Sequence, residues 1–458
     1  MTALPKVCII GAGCSGFTTA KRLQDYGIPF DIFEASDNIG GNWYFNNPNG
    51  MSSCYQSLHI DTSKWRLAFE DYPVPAEWPD YPSHEQLLQY FHDYVDHFDL
   101  RRHIIFNTRV EKAERRSEGG WDITLSTGET RHYDALAVAN GHHWAARIPD
   151  YPGEFTGPQI HSHNYRTPTE PVDCMGKRVL VVGMGNSAMD IASELSQRTV
   201  ASKLFVSTRR GVWIFPKYFR GQPLDKNPAP AWMPKSVRQW LGARMVKNLV
   251  GKMSDYGLPE PEIGPFESHG TVSGEFLVRA GSGDLTMKPA IERLDGDGVV
   301  FTDGTREQVD AIIWATGYDI RFPFFSDPSF TADEDNRPPP LFKRILKPEV
   351  PDLFYMGLAQ PLPTLVNFAE QQSKLVAAYL AGEYAPPSGR EMHRVIVKDE
   401  EYHTGQYYKA RRHTIQLDFD SYVRDLHKEI KAGAKRAAAR GKVLPVPGRQ
   451  VPRDVETA

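Results

Sequence analysis

Two short runs carry the residue types that a dinucleotide needs. In "KVCIIGAGCSGF" an apolar stretch ends in Gly11, Gly13 and Gly16, and the next apolar stretch, "PFDIFE", ends in Glu34. Gly11 permits a tight turn, Gly13 lets backbone amides approach a pyrophosphate, and Gly16 lets the following helix lie close to its strand. The start of that helix faces the phosphates with N–H groups that have no partner inside the helix. Glu34 is placed to accept hydrogen bonds from an adenosine ribose. "KRVLVVGMGNSAMDIASEL" repeats the design with Gly183, Gly185 and Ala188. There the residue aligned with Glu34 is Ser207, and Thr208, Arg209 and Arg210 follow. A carboxylate would repel a ribose 2′-phosphate, whereas guanidinium groups bind one through paired, charge-assisted hydrogen bonds. Arginines that merely face solvent are the plain alternative. The first site therefore suits FAD and the second NADPH.

Each run implies the same local structure, a buried strand, a turn and a helix. The first helix is expected from about Ser15 to Tyr26, with Gly27 as its stop. "YDALAVANGHH" and "DAIIWATGYD" read as further apolar strands, closing in Asn140–Gly141 and Thr316–Gly317. They look like paired crossovers between nested domains. The predicted fold class is α/β, with two nested Rossmann-like dinucleotide-binding domains and a C-terminal helical extension. Residues 1–155 form the first part of the FAD domain, and 156–310 the NADPH domain, with an insertion at about 219–288. Residues 311–385 return to the FAD domain, and 386–458 form the helical extension and tail. The insertion holds "PAPAWMPKSVRQWLGARMV", rich in Trp, Met and Pro, which suits the roof of a channel and equally a dimer contact or plain packing. The last ten or so residues are expected to fray or to lie across a neighbouring subunit.

Composition narrows the function. A 458-residue chain with 40% hydrophobic residues builds sizeable cores, and a net charge of −4 gives no reason to expect nucleic acid or an anionic membrane as partner. No apolar run approaches the roughly 18 residues of a spanning helix. Cys8, Cys14, Cys54 and Cys174 form neither a C-x-x-C pair nor a zinc spacing, which points to a reducing, cytoplasmic setting. No metal site is expected. His161 and His163 have no third ligand at helical or loop spacing. A homodimer stays open.

Between the two glycine runs stands "EFTGPQIHSHNYRTP", whose Phe155, Gly157, His161 and Tyr165 fit the pattern F-x-G-x-x-x-H-x-x-x-Y. With the two fingerprints, this pattern resembles the flavin-containing monooxygenases, and the soluble bacterial-type members in particular. "EASDNIGGNWYF", "SLHIDTSK" and "ATGY" extend the resemblance to about residue 385. Residue by residue it implies FAD contacts from Gly11, Ala12, Gly13, Cys14 and Ser15, from Glu34, Gly41, Asn42, Trp43 and Thr62, and from the Val110 backbone. For NADPH it implies Asn186, Ser187, Asp190, Arg209 and Arg210. The histidine-rich run itself reads as a hinge and scaffold whose polar side chains hydrogen-bond across the domain interface.

The reaction implied is reduction of FAD by NADPH, then formation of a flavin C4a-hydroperoxide whose distal oxygen passes to a tertiary amine nitrogen or a thioether sulfur. Substrate and O2 are the partners. Where most relatives have Asn, this chain has Asp61, the one candidate catalytic residue. An ionised Asp61 only accepts hydrogen bonds and repels a peroxy anion, which favours amine and sulfide oxygenation over insertion beside a ketone. The plain alternative is an Asx-type turn. Baeyer–Villiger oxidation is the second activity to consider, although those relatives carry Trp where Tyr165 stands. A flavin disulfide reductase would need a cysteine pair, and a non-catalytic NADPH-sensing flavoprotein would reoxidise without transferring oxygen.

Overall fold

The computed structural model describes residues 3–228, 233–265, 270–403, 414–446 and 448. The expectations for 229–232 and 266–269 of the insertion and for the last ten residues lie outside the described residues. Two parallel sheets organise the chain. The first runs Leu346–Lys347, Val350–Tyr355, Ala135–Val138, Val7–Ile10, Phe30–Phe33, Ile104–Ile105, parallel except for the first pair. The second runs Thr286–Lys288, Lys203–Ser207, Arg178–Val182, Ala311–Trp314, Gln159–His161, parallel throughout. Unbroken apolar runs such as VCII and AIIW form the central strands because both faces are covered, as parallel sheets require.

The same cover is used twice. On one face of the first sheet the helix Cys14–Asp25 buries Phe17, Ala20 and Leu23 together with Leu375 and Val376 of the helix Phe368–Leu380. On the other face the antiparallel strands Val110–Arg115, Trp121–Leu125 and Thr130–Tyr133 close a core around Trp121. The second sheet has the helix Asn186–Leu195 on one face and the antiparallel strands Ile291–Asp295, Gly298–Phe301 and Arg306–Gln308 on the other. C-terminal helices Gly389–His403 and Phe419–Ala439 follow as expected, the second capped by the Asp418 carboxylate accepting from the Ser421 amide at 2.8 Å. No described helix is long and apolar enough to cross a membrane.

Three expectations shift. Ala311–Trp314, assigned to the returning segment by the boundary at 310, is an interior strand of the second sheet, so the return begins after it. Thr286–Lys288, counted in the insertion, is that sheet's edge strand. Ser207 lies opposite Val182 as Phe33 lies opposite Ile10, so the counterpart of Glu34 is Thr208. Spacing between glycine and strand end differs by two residues in the two repeats, and pairing register is set by the sheet and not by the count.

Candidate active site

One cavity of about 1180 Å³ runs along the first sheet's glycine turn and on to the insertion. It exceeds the roughly 300–1,000 Å³ of an ordinary ligand pocket, so a dinucleotide and a second molecule have room. Gly11, Gly13, Cys14, Ser15, Glu34, Gly41, Asn42, Trp43, Asp61, Thr62 and Val110 all line it. The three glycines each do what their position demands. Gly11 has φ +101°, and a Cβ there would sit 2.7 Å from the Ala139 carbonyl oxygen. A Cβ on Gly16 would stand 1.9 Å from the Gly11 carbonyl oxygen, which forbids any side chain between helix and strand. On Gly13 the nearest atom would be the Gly41 Cα at 3.9 Å, so a side chain there would project into the cradle itself. The residues fit a bound FAD.

Glu34 closes the cradle. Its carboxylate accepts from the Ala12 amide at 2.7 Å and the Ser36 amide at 2.8 Å. Burial pushes its pKa up, and the amides oppose that shift. Each carboxylate oxygen keeps a lone pair for a ribose hydroxyl. Ala12 thus acts through Glu34, and Gly16 through packing. Thr62, expected at the flavin, donates its hydroxyl to the Pro363 carbonyl at 2.6 Å. The Asn42 side-chain oxygen accepts from the Ser53 amide and hydroxyl at 2.9 and 2.8 Å, which holds the Gly41–Trp43 turn against the 52–54 loop.

Asp61, read from the sequence as an ionised carboxylate, sits among other charged groups. Its side chain keeps 20% exposure, lies 3.3 Å from the Lys217 ammonium and faces Asp190. Burial first, and Asp190 second, push its pKa up to about 7, with Lys217 pulling the other way. Its carboxylate therefore meets a lysine where an Asx turn would have given it a backbone amide. Asp190, expected at NADPH, accepts from the Tyr55 hydroxyl at 2.7 Å, and burial raises its pKa too.

Of the residues expected at the second site, Asn186 is the one that lines this cavity, and its side-chain oxygen accepts from the Val272 amide at 3.1 Å. Gly183 has φ +133°, with an added Cβ 2.3 Å from the Ala315 carbonyl oxygen. A Cβ on Gly185 would meet no atom within 4 Å. Ala188 is buried where the first repeat has Gly16, while Ser187 is half-buried at the helix start. Arg209 and Arg210 are exposed, and Arg210 stands 3.9 Å from Glu262.

The histidine-rich run ties the two halves together. His161 ends a strand of the second sheet, and its Nδ1 accepts from the His163 amide at 3.0 Å. His163 pairs with the Gly50 carbonyl at 2.8 Å, and the Arg166 guanidinium donates to the carbonyls of Ser52 and Cys54. The Tyr165 hydroxyl donates to Glu194 at 2.8 Å. Gly157 is required because a Cβ would lie 2.6 Å from the Phe155 ring. Burial pushes His143 and His161 down to about 4, so both are neutral at physiological pH.

Sequence reasoning missed four contributors. Gly357 packs on Ser15, where a Cβ would stand 2.1 Å from its hydroxyl oxygen, and the run to Val366 lines the cavity. Lys217, just before the insertion, and Asp225, within it, also line the cavity, the latter accepting from the Ser63 amide at 2.8 Å. Arg66 lines the cavity and pairs with Asp420 at 2.6 Å. A positive-φ glycine after an apolar strand could have signalled Gly357, but the others carry no local signature.

A pair of doubly covered parallel sheets, each ending in a glycine turn, with a cavity that runs from the first turn to Asn186 beside the second, defines a two-dinucleotide-domain oxidoreductase. Residues 4–437 match the flavin-binding monooxygenase-like family. The chain is 34% identical over 451 residues to rat dimethylaniline monooxygenase [N-oxide-forming] 2, covering 93% of this chain and 83% of that one. It is 33% identical to human flavin-containing monooxygenase 5 over 92% of this chain and 82% of the other. S-allyl-L-cysteine S-oxygenase from Allium sativum superposes with a TM-score of 0.68 at 25% identity, over 96% of this chain and 94% of its own. The chain belongs to the flavin-containing monooxygenase family. It is an FAD- and NADPH-dependent oxidoreductase that incorporates oxygen from O2.

Proposed function

We propose that the chain transfers one oxygen atom to a soft nucleophile, a tertiary amine nitrogen or a thioether sulfur. The observation that carries this reading is the continuity of the cavity, which passes from the Gly11–Ser15 cradle by Asp61 to Leu224, Met233, Leu241 and Met245 of the insertion. Those side chains offer an apolar wall for an uncharged substrate. When bound, FAD supplies the activation of O2 with electrons from NADPH. The chain's own residues hold, orient and exclude water. The amides at the start of Cys14–Asp25 face the pyrophosphate, Glu34 takes the ribose, and Asn42, Trp43, Thr62 and Val110 border the rest. Ser187, Arg209 and Arg210 are the proposed contacts for NADPH on the outer turn, and Asp61 stands at the reacting end. The segments to about 155 and beyond 314 act as one FAD unit around the NADPH unit.

Cys14 also lines the cavity, but burial pushes its thiol up to about 11. A neutral thiol is a poor nucleophile, so no thiol relay competes with oxygen transfer. The four unpaired cysteines suit the cytoplasm. The test runs a small tertiary amine, a thioether and a cyclic ketone side by side with NADPH, with product analysis. N-oxide and sulfoxide are expected to dominate. A lactone as the main product would make the chain a Baeyer–Villiger enzyme, and NADPH oxidation without any oxygenated product would make it a non-catalytic flavoprotein.

A further inference from the structure

Lys217 sits where the insertion meets the flavin side of the cavity. It precedes the hairpin formed by Tyr218–Phe219 and Gln222–Pro223. Its carbonyl accepts from the Leu224 amide at 2.9 Å and from the Tyr81 hydroxyl, so its backbone is held from both domains. The ammonium lies 5.1 Å from the centre of the Tyr81 ring and 3.3 Å from the Asp61 carboxylate. Asp225, just past the hairpin, fastens the same segment by accepting from the Ser63 amide at 2.8 Å. The lysine is thus fixed at both ends, and it retains 18% exposure.

The groups around it make an uneven charge set. Asp61 comes from the first domain's loop, Asp190 from the helix Asn186–Leu195, and Tyr55 donates to Asp190 at 2.7 Å. His59 and Glu275 face Asp190 from further off. Two carboxylates enclosed beside a single ammonium are short of one positive charge. Low-dielectric surroundings make that deficit costly, and one proton on the carboxylate pair relieves it.

We infer that Lys217 is a positioning residue that sets how tightly the Asp61–Asp190 pair holds one proton on the cavity wall. The inference rests on the proposed reading only in placing that proton beside the reacting flavin. The proton is exchangeable because Asp61 and Lys217 both line the cavity. It gives the site a donor where the resident carboxylate alone would only accept. The two carboxylates titrate as a pair, so the property belongs to the cluster and not to either acid.

The test uses the FAD-loaded enzyme and two readouts, the pH profile of kcat/KM and the pH dependence of the denaturant midpoint. Lys217→Met is expected to move the midpoint of the carboxyl transition upward by at least one pH unit in both, a tenfold tighter hold on the proton. Lys217→Arg should bring it back towards wild type, and Lys217→Met added to Asp61→Asn should produce no comparable shift. If Lys217→Met lowers stability or flavin retention while leaving the midpoint of the transition in place, the lysine is only a structural tie and the inference fails. Should Lys217→Met not fold, Lys217→Arg and Lys217→Gln carry the same comparison. Unfolding needs no turnover, so a failure of the oxygenation reading leaves this readout intact and separately decidable.

Discussion

At the first glycine turn a Cβ on Gly11 would run into the carbonyl of Ala139, and at the second a Cβ on Gly183 would run into that of Ala315. Both carbonyls belong to the residue just past a central strand, so the backbone engineering of the two turns is the same. The surroundings differ. Glu34 is 6% exposed and gripped by two amides, and the cradle opens into a deep cavity. Its counterpart Thr208 hydrogen-bonds the Arg210 carbonyl at 2.7 Å, and the neighbouring arginines stand in solvent. A buried site retains its dinucleotide, and an exposed one exchanges it. That is the division of labour expected between a resident flavin and a nicotinamide cosubstrate.

The largest effect should come from the cradle glycines. Gly13→Val is expected to abolish flavin retention, because its side chain would occupy the space of the pyrophosphate, whereas Gly185→Val should keep the flavin and lose NADPH-driven reduction. Flavin absorbance per protein and the rate of flavin reduction separate the two. Full flavin occupancy in Gly13→Val would sink the assignment of the first site.

Next comes the exposed pair. Arg209→Ala with Arg210→Ala should raise the KM for NADPH roughly tenfold to a hundredfold per main contact, from about 1.5–3 kcal/mol for a hydrogen bond to a charged group. The KM for NADH should barely move. An unchanged NADPH/NADH ratio would mean that the arginines only face water.

A pH experiment sharpens the comparison at the junction of the two sites. The folded-state pKa of Asp61 is raised to about 7 from the usual 3.8, so the folded protein binds more protons than the unfolded chain between those values. Stability contributed by this group is therefore lost as pH rises through that window. Asp61→Asn should gain stability relative to wild type from about pH 4 to pH 7 and hold a constant difference above it, as read from denaturant unfolding. A pH-independent difference would show an Asp61 ionised throughout.

The smallest effect expected is that of Ala188→Gly, which makes the second turn match the first. It should cost about 1 kcal/mol of helix stability and leave both cofactors bound. Gly16→Ala, the reverse exchange, should be far worse, because the added methyl would stand 1.9 Å from a backbone oxygen.

The sequence by itself determined both glycine turns, the helices after them and the absence of an acid after the second fingerprint. These depend on local rules, namely φ, the approach of a backbone to a phosphate and the end of an apolar strand, and such rules are written in neighbouring residues. Only the tertiary structure decided the register that makes Thr208 the counterpart of Glu34, the place of Ala311–Trp314 inside the second sheet, and the raised pKa of Asp61. Lys217 lies 156 positions from Asp61 in the chain and Asp190 lies 129, yet both face it, the lysine at 3.3 Å. A carboxylate's protonation depends on which charges and how much water surround it, and no spacing rule records neighbours brought together from separate domains.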